Sequence, residues 1–475
     1  MTGPISNSHP RAITSVTIVG AGVAGLAAGC ALADSGYSVQ VLERRPYVGG
    51  RASSYEHPAT GEIIDNCQHI LLGCCTNLID LYKRLGVEQS ITWSSRFTYI
   101  EPGGRRSILE PSWLPAPMHS MLSFLRAAAF SPSDKYAIAR GLSRFLLRIP
   151  EDGEENFAQW CARHKQTPGA IRRFWEPILA SALNEDLDKM SVHYAGKVIR
   201  DSFLNSPAAG RMGIPRVPLS ELYSRAVDYI QARGGQVHLR AGVNAIKPLP
   251  GGGWCTHAGD RAVASDAVVL SLSFEAMQTM LPLLPQTPES TVLAEQLSTF
   301  EHSPITAIHL WFDREITELA HAVLLDTAVE WMYQVSKLQP ARETAQGSYI
   351  ELIVSASRSM IAMQRQEIID LAVSELARFF PKVREAVLLK AAVTKEVRAT
   401  YSVRPMLDRG RPGSQSPWPA IYLAGDWTAT GWPATMEGAV RSGYLAAEAI
   451  TGGVGSPAVF LVKDLAPSGL MRLLG

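Results

Sequence analysis

Near the amino terminus a glycine run, Gly20-Ala21-Gly22-Val23-Ala24-Gly25, lies between an apolar stretch at residues 15–19 and small residues at 26–35 that Gly36 ends. That order reads as strand, tight turn and helix. A second apolar stretch at 38–42, followed by Glu43, completes a β-α-β unit of about thirty residues. Gly20 permits the turn, Gly22 lets the backbone approach a pyrophosphate, and Gly25 lets helix and strand pack closely while the helix amino terminus faces negative charge. Glu43 stands near the distance at which a carboxylate holds a ribose hydroxyl, and its charge opposes a 2′-phosphate. The site therefore suits FAD or NAD rather than NADP. The uncharged stretch 15–33, with Arg11 before it, also has the outline of a signal-peptide core or a membrane span, but glycines at 20, 22, 25 and 29 dilute it.

Directly after Glu43 come Arg44, Arg45 and then Gly49-Gly50-Arg51, a glycine pair and a cation able to reach a second stretch of the same ligand. Simple nicotinamide dehydrogenases have no need of it. Some four hundred residues later, an apolar strand at 420–424 runs into Gly425-Asp426, an irregular segment, and a helix from Met436 to about Ile450. Asp426 at a strand's carboxyl end can accept hydrogen bonds from a polyol such as ribitol. Backbone amides at Met436–Gly438 can face an electron-rich ring edge. Taken singly, Asp426 is an ordinary turn aspartate and Met436 a core methionine; paired with the amino-terminal half, they point to a flavin dinucleotide.

At 475 residues and 46% hydrophobic, the chain is long enough for two or three folding units. The expected fold is α/β: a Rossmann-like FAD-binding domain assembled from discontinuous segments, a mixed α+β substrate domain, and a helical subregion in contact with a membrane. Cofactor-binding segments are expected at 1–63, 219–273 and 404–452, substrate regions at 64–218 and 274–403, and an amphipathic tail at 453–475. With 45 Lys+Arg against 44 Asp+Glu there is no basic field for nucleic acid. Six cysteines without C-x-x-C spacing read as reduced thiols of a cytoplasmic protein. His69, His193, His302 and His309 lack metal-ligand spacing, so no metal is expected, and neither a G-x-S-x-G elbow nor a P-loop is present. Residues 112–149 form two Leu-, Phe- and Met-rich helical runs carrying Arg126, Lys135, Arg140, Arg144 and Arg148. These read either as a surface dipping into the inner face of the cytoplasmic membrane or as amphipathic helices covering the core.

Residues 16–54 and 421–450 together resemble the amine-oxidase and phytoene-desaturase superfamily of flavoproteins. Three middle segments, DNCQHILLGCCTNLIDLYKRLGV, FWEPILASALNEDLDKMS and GIPRVPLSELY, resemble its squalene-associated branch, the hydroxysqualene dehydroxylases. The resemblance implies FAD contacts at Gly20, Gly22, Ala24, Gly25, Glu43, Arg44, Gly50, Arg51, Asp426 and Met436, and at Val243 in the strand after the mid-chain helix. Cys67 stands where the family pattern has glycine and Cys75 where an aromatic residue is common, so the loop from Asp65 to His69 is expected to approach the flavin differently. The implied reaction reduces hydroxysqualene to squalene, which needs an isoprenoid-binding pocket and a donor for the departing hydroxyl. Candidates for that donor are Asp65, His69, Glu176 and Glu437, and Trp175, Trp432 and Met436 are candidates to line the pocket. Only one glycine fingerprint exists, so the sequence offers no separate domain for a nicotinamide electron donor. The rival readings are a carotenoid-type desaturase, an amine oxidase with an aromatic cage, and a non-catalytic flavoprotein subunit of a lipid-synthesis assembly.

Overall fold

A computed structural model describes residues 13–340, 347–453 and 457–474. Arg11 and parts of the expected tail (454–456 and 475) lie outside the described residues.

The glycine-rich unit forms as its spacing predicts: strand β1 (Ser15–Val19), helix α1 (Val23–Asp34) and strand β2 (Ser38–Leu42). The stretch 15–33 is therefore a buried strand, turn and helix rather than a membrane span. Among the described residues no helix is long and apolar enough to cross a membrane. Helix α1 starts at Val23, immediately after Gly22, a turn earlier than its apolar pattern suggests. Later segments return to the same sheet: helix α2 (Leu219–Gln231), strand β3 (Gln236–His238), strand β4 (Ala267–Ser271), strand β5 (Ile421–Ala424) and helix α3 (Met436–Gly453). The five strands lie in the order β3-β2-β1-β4-β5, every neighbouring pair parallel. Strand β4 is buried along its whole length, which is why it reads as a continuous apolar run without alternation. Between β3 and β4, a three-stranded antiparallel meander (Ala245–Pro248, Trp254–Ala258, Arg261–Ser265) turns at Gly252 and Gly253, both at positive φ.

Helices α1 and α3 cross at very close range. A Cβ on Gly443 would collide with the Ala24 carbonyl oxygen and lie 3.1 Å from the Ala27 Cβ. Gly29 likewise leaves room for Ile230 of α2, whose Cδ1 would be 2.9 Å from an added Cβ. Small residues on α1 thus dock two helices from distant parts of the chain onto one sheet face.

A second, seven-stranded sheet runs Leu388–Tyr401, His302–Phe312, Ser348–Val354, Trp331–Gln334, His321–Leu324, Phe97–Ile100, Arg106–Leu109. All its pairings are antiparallel except that of Phe97–Ile100 with His321–Leu324. It draws strands from both expected substrate regions. One face, with Ile308, Leu310 and Leu352, packs on helix Arg365–Phe379. The other, with Ala307, Trp331 and Tyr333, faces Cys67 and Ile70, as the two-residue period of strands requires. Two helices follow Ser348–Val354, Arg358–Ile361 and Arg365–Phe379, the second started by a capping box between Gln364 and Glu367.

The rest of the 64–218 region combines a small antiparallel sheet, Leu71–Leu72, Met212–Pro215 and Ile91–Ser94, with helices that include Met121–Arg126 and Pro132–Leu147 and two π-helical turns, Ile171–Trp175 and Ile199–Leu204. We expect Gly443→Val to lower unfolding free energy by about 3 kcal/mol or more, since the clash is with backbone that cannot rotate away. Denaturant titration checks this, and a loss below about 1 kcal/mol would contradict the helix crossing.

Candidate functional site

The turn between β1 and α1 is shaped by what a side chain would strike. Gly20 has φ +101°, and a Cβ there would meet the Ser271 carbonyl at the end of β4; a Cβ on Gly25 would meet the Gly20 carbonyl. Gly22 differs, because a Cβ there would have nothing within 4 Å. The open side of Gly22 is the cradle that a dinucleotide backbone needs. The second glycine pair docks onto this turn: Gly49 N–H donates to the Ala21 carbonyl at 2.8 Å, and Gly50, φ +64°, lies so close to Gly22 that a Cβ would be 3.0 Å from its Cα. Buried Glu43, just after β2, accepts hydrogen bonds from the backbone N–H of Ala21 (2.8 Å) and Arg45 (2.8 Å). Arg240 and Ala241 donate their backbone N–H to the carbonyls of Arg45 (3.0 Å) and Glu43 (2.7 Å), which brings Val243 close to Glu43 and Arg44. Val243 lies in the loop after β3 and not in the strand, because β3 ends at His238. Ala24 is buried under Gly443.

The carboxy-terminal segment meets this turn through one ion pair. Arg51 donates to Asp426 Oδ1 at 2.5 Å and to the Ala399 carbonyl at 3.2 Å. Asp426 follows Gly425, whose φ of +146° and closeness to the Leu272 carbonyl (2.8 Å from an added Cβ) admit only glycine. Residues 426–432 are pinned by Arg411, whose side chain is fully buried. Its guanidinium donates to the carbonyls of Asp426 (2.9 Å), Trp427 (3.3 Å), Thr428 and Trp432 (2.7 Å), to Tyr194 Oη (2.7 Å) and to Asp408 (3.0 Å). Arg411 was not legible beforehand, because its partners are mostly backbone carbonyls that carry no sequence signal. Along this route several buried polar atoms have no partner among the described residues: Ser271 Oγ beside the glycine turn, Asn66 Oδ1 beside Arg51, Gln68 Oε1 and Trp432 Nε1. Leaving such groups unpaired costs about 1–3 kcal/mol each, so together with the Gly22 cradle they fit a large polar ligand.

Where this segment reaches α3, a cavity of about 430 Å³ opens, walled by Leu72, Phe97, Phe124, Phe174, Trp331 and Met436 among others. Trp432 also lines it. Both π-helical turns contribute walls, Phe174 from the first and Asp201 to Leu204 from the second.

The family described as flavin containing amine oxidoreductase matches residues 23–451. The chain belongs to that family. It is 27% identical over 458 residues to the 15-cis-phytoene desaturase of Synechococcus elongatus (92% of this chain, 95% of that protein). It is 26% identical over 472 residues to a probable zeta-carotene desaturase of the same organism (92% and 98%). Its fold is similar to that of an oxidoreductase from Methanosarcina mazei (TM-score 0.70, 18% identity, 90% of this chain and 98% of that one). A putrescine oxidase bound to putrescine is also similar (TM-score 0.69, 18% identity, 92% and 99%). FAD is the cofactor of this flavin oxidoreductase, and the cradle and orphaned polar atoms above are where this chain can receive it.

Within the flavoprotein the four candidate proton donors stand in different situations. Asp65 is buried and accepts from Ser54 Oγ (2.5 Å), Leu219 N–H (3.2 Å) and Gln339 Nε2 (3.2 Å), tying strand Ile63–Asp65 to the start of α2. His69 has its pKa lowered by burial, partly offset by a hydrogen bond to the Cys67 carbonyl. Since that carbonyl, 2.8 Å from Nδ1, can only accept, the neutral ring keeps its proton on Nδ1 and offers Nε2 as an acceptor. His69 is thus placed as an acceptor, contrary to the expectation of a donor. Glu437 is fully buried and takes four hydrogen bonds, from Asn77 N–H (3.2 Å), Asn77 Nδ2 (2.9 Å), Leu78 N–H (2.8 Å) and Arg441 Nε (2.7 Å). It anchors α3 to the amino terminus of helix Thr76–Arg84.

Glu176 corrects the expectation of a donor on the cavity wall: the residue is exposed and outside the lining, although partial burial and the nearby charge of Asp186 raise its carboxyl pKa. Trp175 corrects the expectation of a lining residue, since it is completely buried in the core against Phe157 and Trp160, with Nε1 donating to Gln166 Oε1 at 2.7 Å. Its neighbour Phe174 takes the cavity wall instead. Glu330 escaped the sequence reading. Burial, reinforced by the nearby charge of Glu176, raises its pKa from an ordinary 4.5 to about 8, and its Oε2 has no partner among the described residues.

We expect the purified protein to be yellow and to lose flavin absorbance on Gly22→Trp, whose ring would fill the cradle. Arg411→Met should weaken flavin retention and destabilise the fold by about 3–5 kcal/mol, the usual consequence of breaking a buried charge network from one side. A yellow Gly22→Trp protein would refute the cradle. Because the folded state raises the Glu330 pKa, the stability this carboxyl contributes is full below 4.5 and lost as pH rises to about 8. Unfolding midpoints of Glu330→Gln should therefore match wild type under acid conditions and exceed it at alkaline pH; parallel pH profiles would refute this.

Proposed function

We propose that this flavin oxidoreductase reduces hydroxysqualene to squalene in bacterial triterpene synthesis, with the hydroxyl leaving as water. The observation that carries the reading is the cavity: walls mostly of Leu, Phe, Ile, Met and Trp side chains that reach Met436 at the start of α3 suit a long hydrocarbon chain. The similarity to proteins named phytoene and zeta-carotene desaturases supports an isoprenoid substrate class, and the three middle segments favour the squalene-associated branch. When bound, FAD supplies two-electron hydride chemistry. In the overall change the substrate C–O bond breaks and a C–H bond forms, two electrons enter, and a proton goes out with the oxygen as water.

The chain's part is to hold and to exclude. Gly22, Gly50 and Glu43 would receive the dinucleotide, Arg51 and Asp426 would fix the polyol, and the amides opening α3 would face the ring. The apolar walls would keep water from recapturing an allylic cation. A carotenoid-type desaturase is the second reading, favoured by the full-length similarity; it would use the same cavity with electrons flowing the other way. An amine oxidase is less favoured, since the carboxylates on the cavity wall are already paired, Asp201 with Lys197, Glu437 with Arg441 and Glu110 with Arg96, which leaves a protonated amine no ready partner.

The cavity mouth supports peripheral membrane contact. Trp113 and Leu473 are 85% and 81% exposed, and Met118, Met121 and Leu125 are exposed as well. Leu470 N–H bonds the Ala116 carbonyl at 2.9 Å, which places the tail against this region. From residue 111 to 150 the only acidic side chain is Asp134, which is buried. Exposed apolar groups with cations and no exposed acid suit an anionic membrane surface.

Anaerobic incubation of the reduced holoprotein with hydroxysqualene should give squalene by mass spectrometry; unchanged substrate, with phytoene instead desaturated by the oxidised protein, would establish the second reading. Sedimentation with anionic vesicles should fall about tenfold for Trp113→Ser combined with Leu473→Ser, the scale of losing two apolar anchors, without change in flavin content.

A further inference from the structure

The cavity wall is mostly apolar, with polar side chains such as Glu110, His119 and Glu437 at separate points, and a pair of opposite charges on it is built at the second π-helical turn. In an ordinary helix only one residue in three or four faces a given side. Here every residue from 198 to 204 except Arg200 borders the cavity, because the wide turn at Ile199–Leu204 brings neighbouring side chains onto one side. Asp201 and Ser202 therefore stand on the wall together with Lys197, one turn earlier.

Lys197 Nζ donates to Asp201 Oδ2 at 2.8 Å and lies 5.0 Å from the centroid of the Trp432 ring, also on the wall. Asn205 Nδ2 donates to Asp201 Oδ1 at 3.2 Å, and Ser202 Oγ lies 3.4 Å from Cys74 Sγ. The Lys197 side chain is 14% exposed, so its charge is largely withdrawn from water. The ion pair uses one of its three N–H donors, and no other hydrogen bond to it is formed among the described residues. The other charged groups on the lining are committed elsewhere: Glu437 to its four donors, and Glu110 to Arg96 at 3.0 Å on the exposed side.

We propose that Lys197, oriented by Asp201 and the Trp432 ring, forms a hydroxyl-binding subsite that fixes the single alcohol oxygen of an otherwise hydrocarbon ligand beside the carboxy-terminal flavin segment. The proposal deepens the function given above and rests on that reading for the ligand. An alcohol oxygen buried against hydrocarbon loses its water partners and must find a donor. A charged donor in a dry wall gives the stronger kind of hydrogen bond. A pure hydrocarbon offers Lys197 nothing and gains nothing from it.

The test is equilibrium binding of hydroxysqualene and of squalene to the oxidised holoprotein, followed by quenching of tryptophan fluorescence. Wild type should prefer the alcohol by about ten- to a hundredfold, the ratio a charge-assisted hydrogen bond provides. Lys197→Met should bring the ratio near one without weakening squalene binding, and Lys197→Arg should keep part of it. If Lys197→Met loses flavin or fails to fold, Asp201→Asn, which frees the ammonium without removing it, must keep a preference for the alcohol.

Equal affinities in wild type, or a preference that survives Lys197→Met, would overturn the subsite. Turnover separates the two ideas. A preference abolished by Lys197→Met in a protein that makes no squalene keeps the subsite and removes the dehydroxylation, whereas squalene formation with an unaltered preference does the reverse.

Discussion

Two segments of chain some four hundred residues apart meet across one groove, and the closeness of their backbones makes the meeting possible. Gly443 on α3 lies against the Ala24 carbonyl of α1 with no space for a methyl group. Gly49 and Gly50 lie equally close to Gly22 and Ala21. Once these backbones touch, Arg51 and Asp426 are within hydrogen-bond reach at 2.5 Å. Widening the helix crossing by even a methyl would part the ion pair and the two halves of the cradle. The parallel sheet beneath supplies rigidity, since β4 lies between β1 and β5 and ties both halves by hydrogen bonds.

The polar interior divides by task. Arg411, Glu437 and Asp65 are saturated with hydrogen bonds and hold loops, helix starts and strands in place. Burying such charges is tolerable only because each finds several partners at short distance. Ser271 Oγ, Asn66 Oδ1, Gln68 Oε1 and Trp432 Nε1 are buried without partners among the described residues, and they lie along the groove from the glycine turn to the cavity. The saturated groups hold the architecture, and these four unsatisfied ones are open to a ligand.

The cavity belongs to neither sheet alone. Trp331 and Phe97 come from the seven-stranded sheet, Met436 from α3 of the other unit, and much of the remaining wall from residues 70–78, 109–120 and the helices between residues 121 and 204. An apolar chamber bounded at one end by the flavin segment and at the other by exposed Met118 and Met121 joins redox chemistry to a greasy surface. The chain accordingly combines the fold of amine oxidases with a largely apolar cavity.

The sequence by itself determined what is local. Glycines at 20, 22 and 25, the strand at 15–19 and the acid at 43 were legible because turn conformation and side-chain periodicity are set within a few residues. The helix starting at Met436 was legible for the same reason. Only the tertiary structure decided which side chain faces what. Trp175 and Phe174 are adjacent and both apolar, yet a π-helical turn sends one into the core and the other to the cavity. Glu176 and Glu330 are ordinary glutamates in sequence, and one becomes exposed while the other is pushed to hold its proton near neutrality. Arg411 gained its role mostly from backbone carbonyls that carry no sequence signal, and Lys197, though paired with Asp201 four residues on, is brought beside Trp432 only by the fold. Burial and electrostatic environment are sums over neighbours distant in sequence, so a local pattern can name a group's chemistry and still leave its surroundings, and hence its task, to the fold.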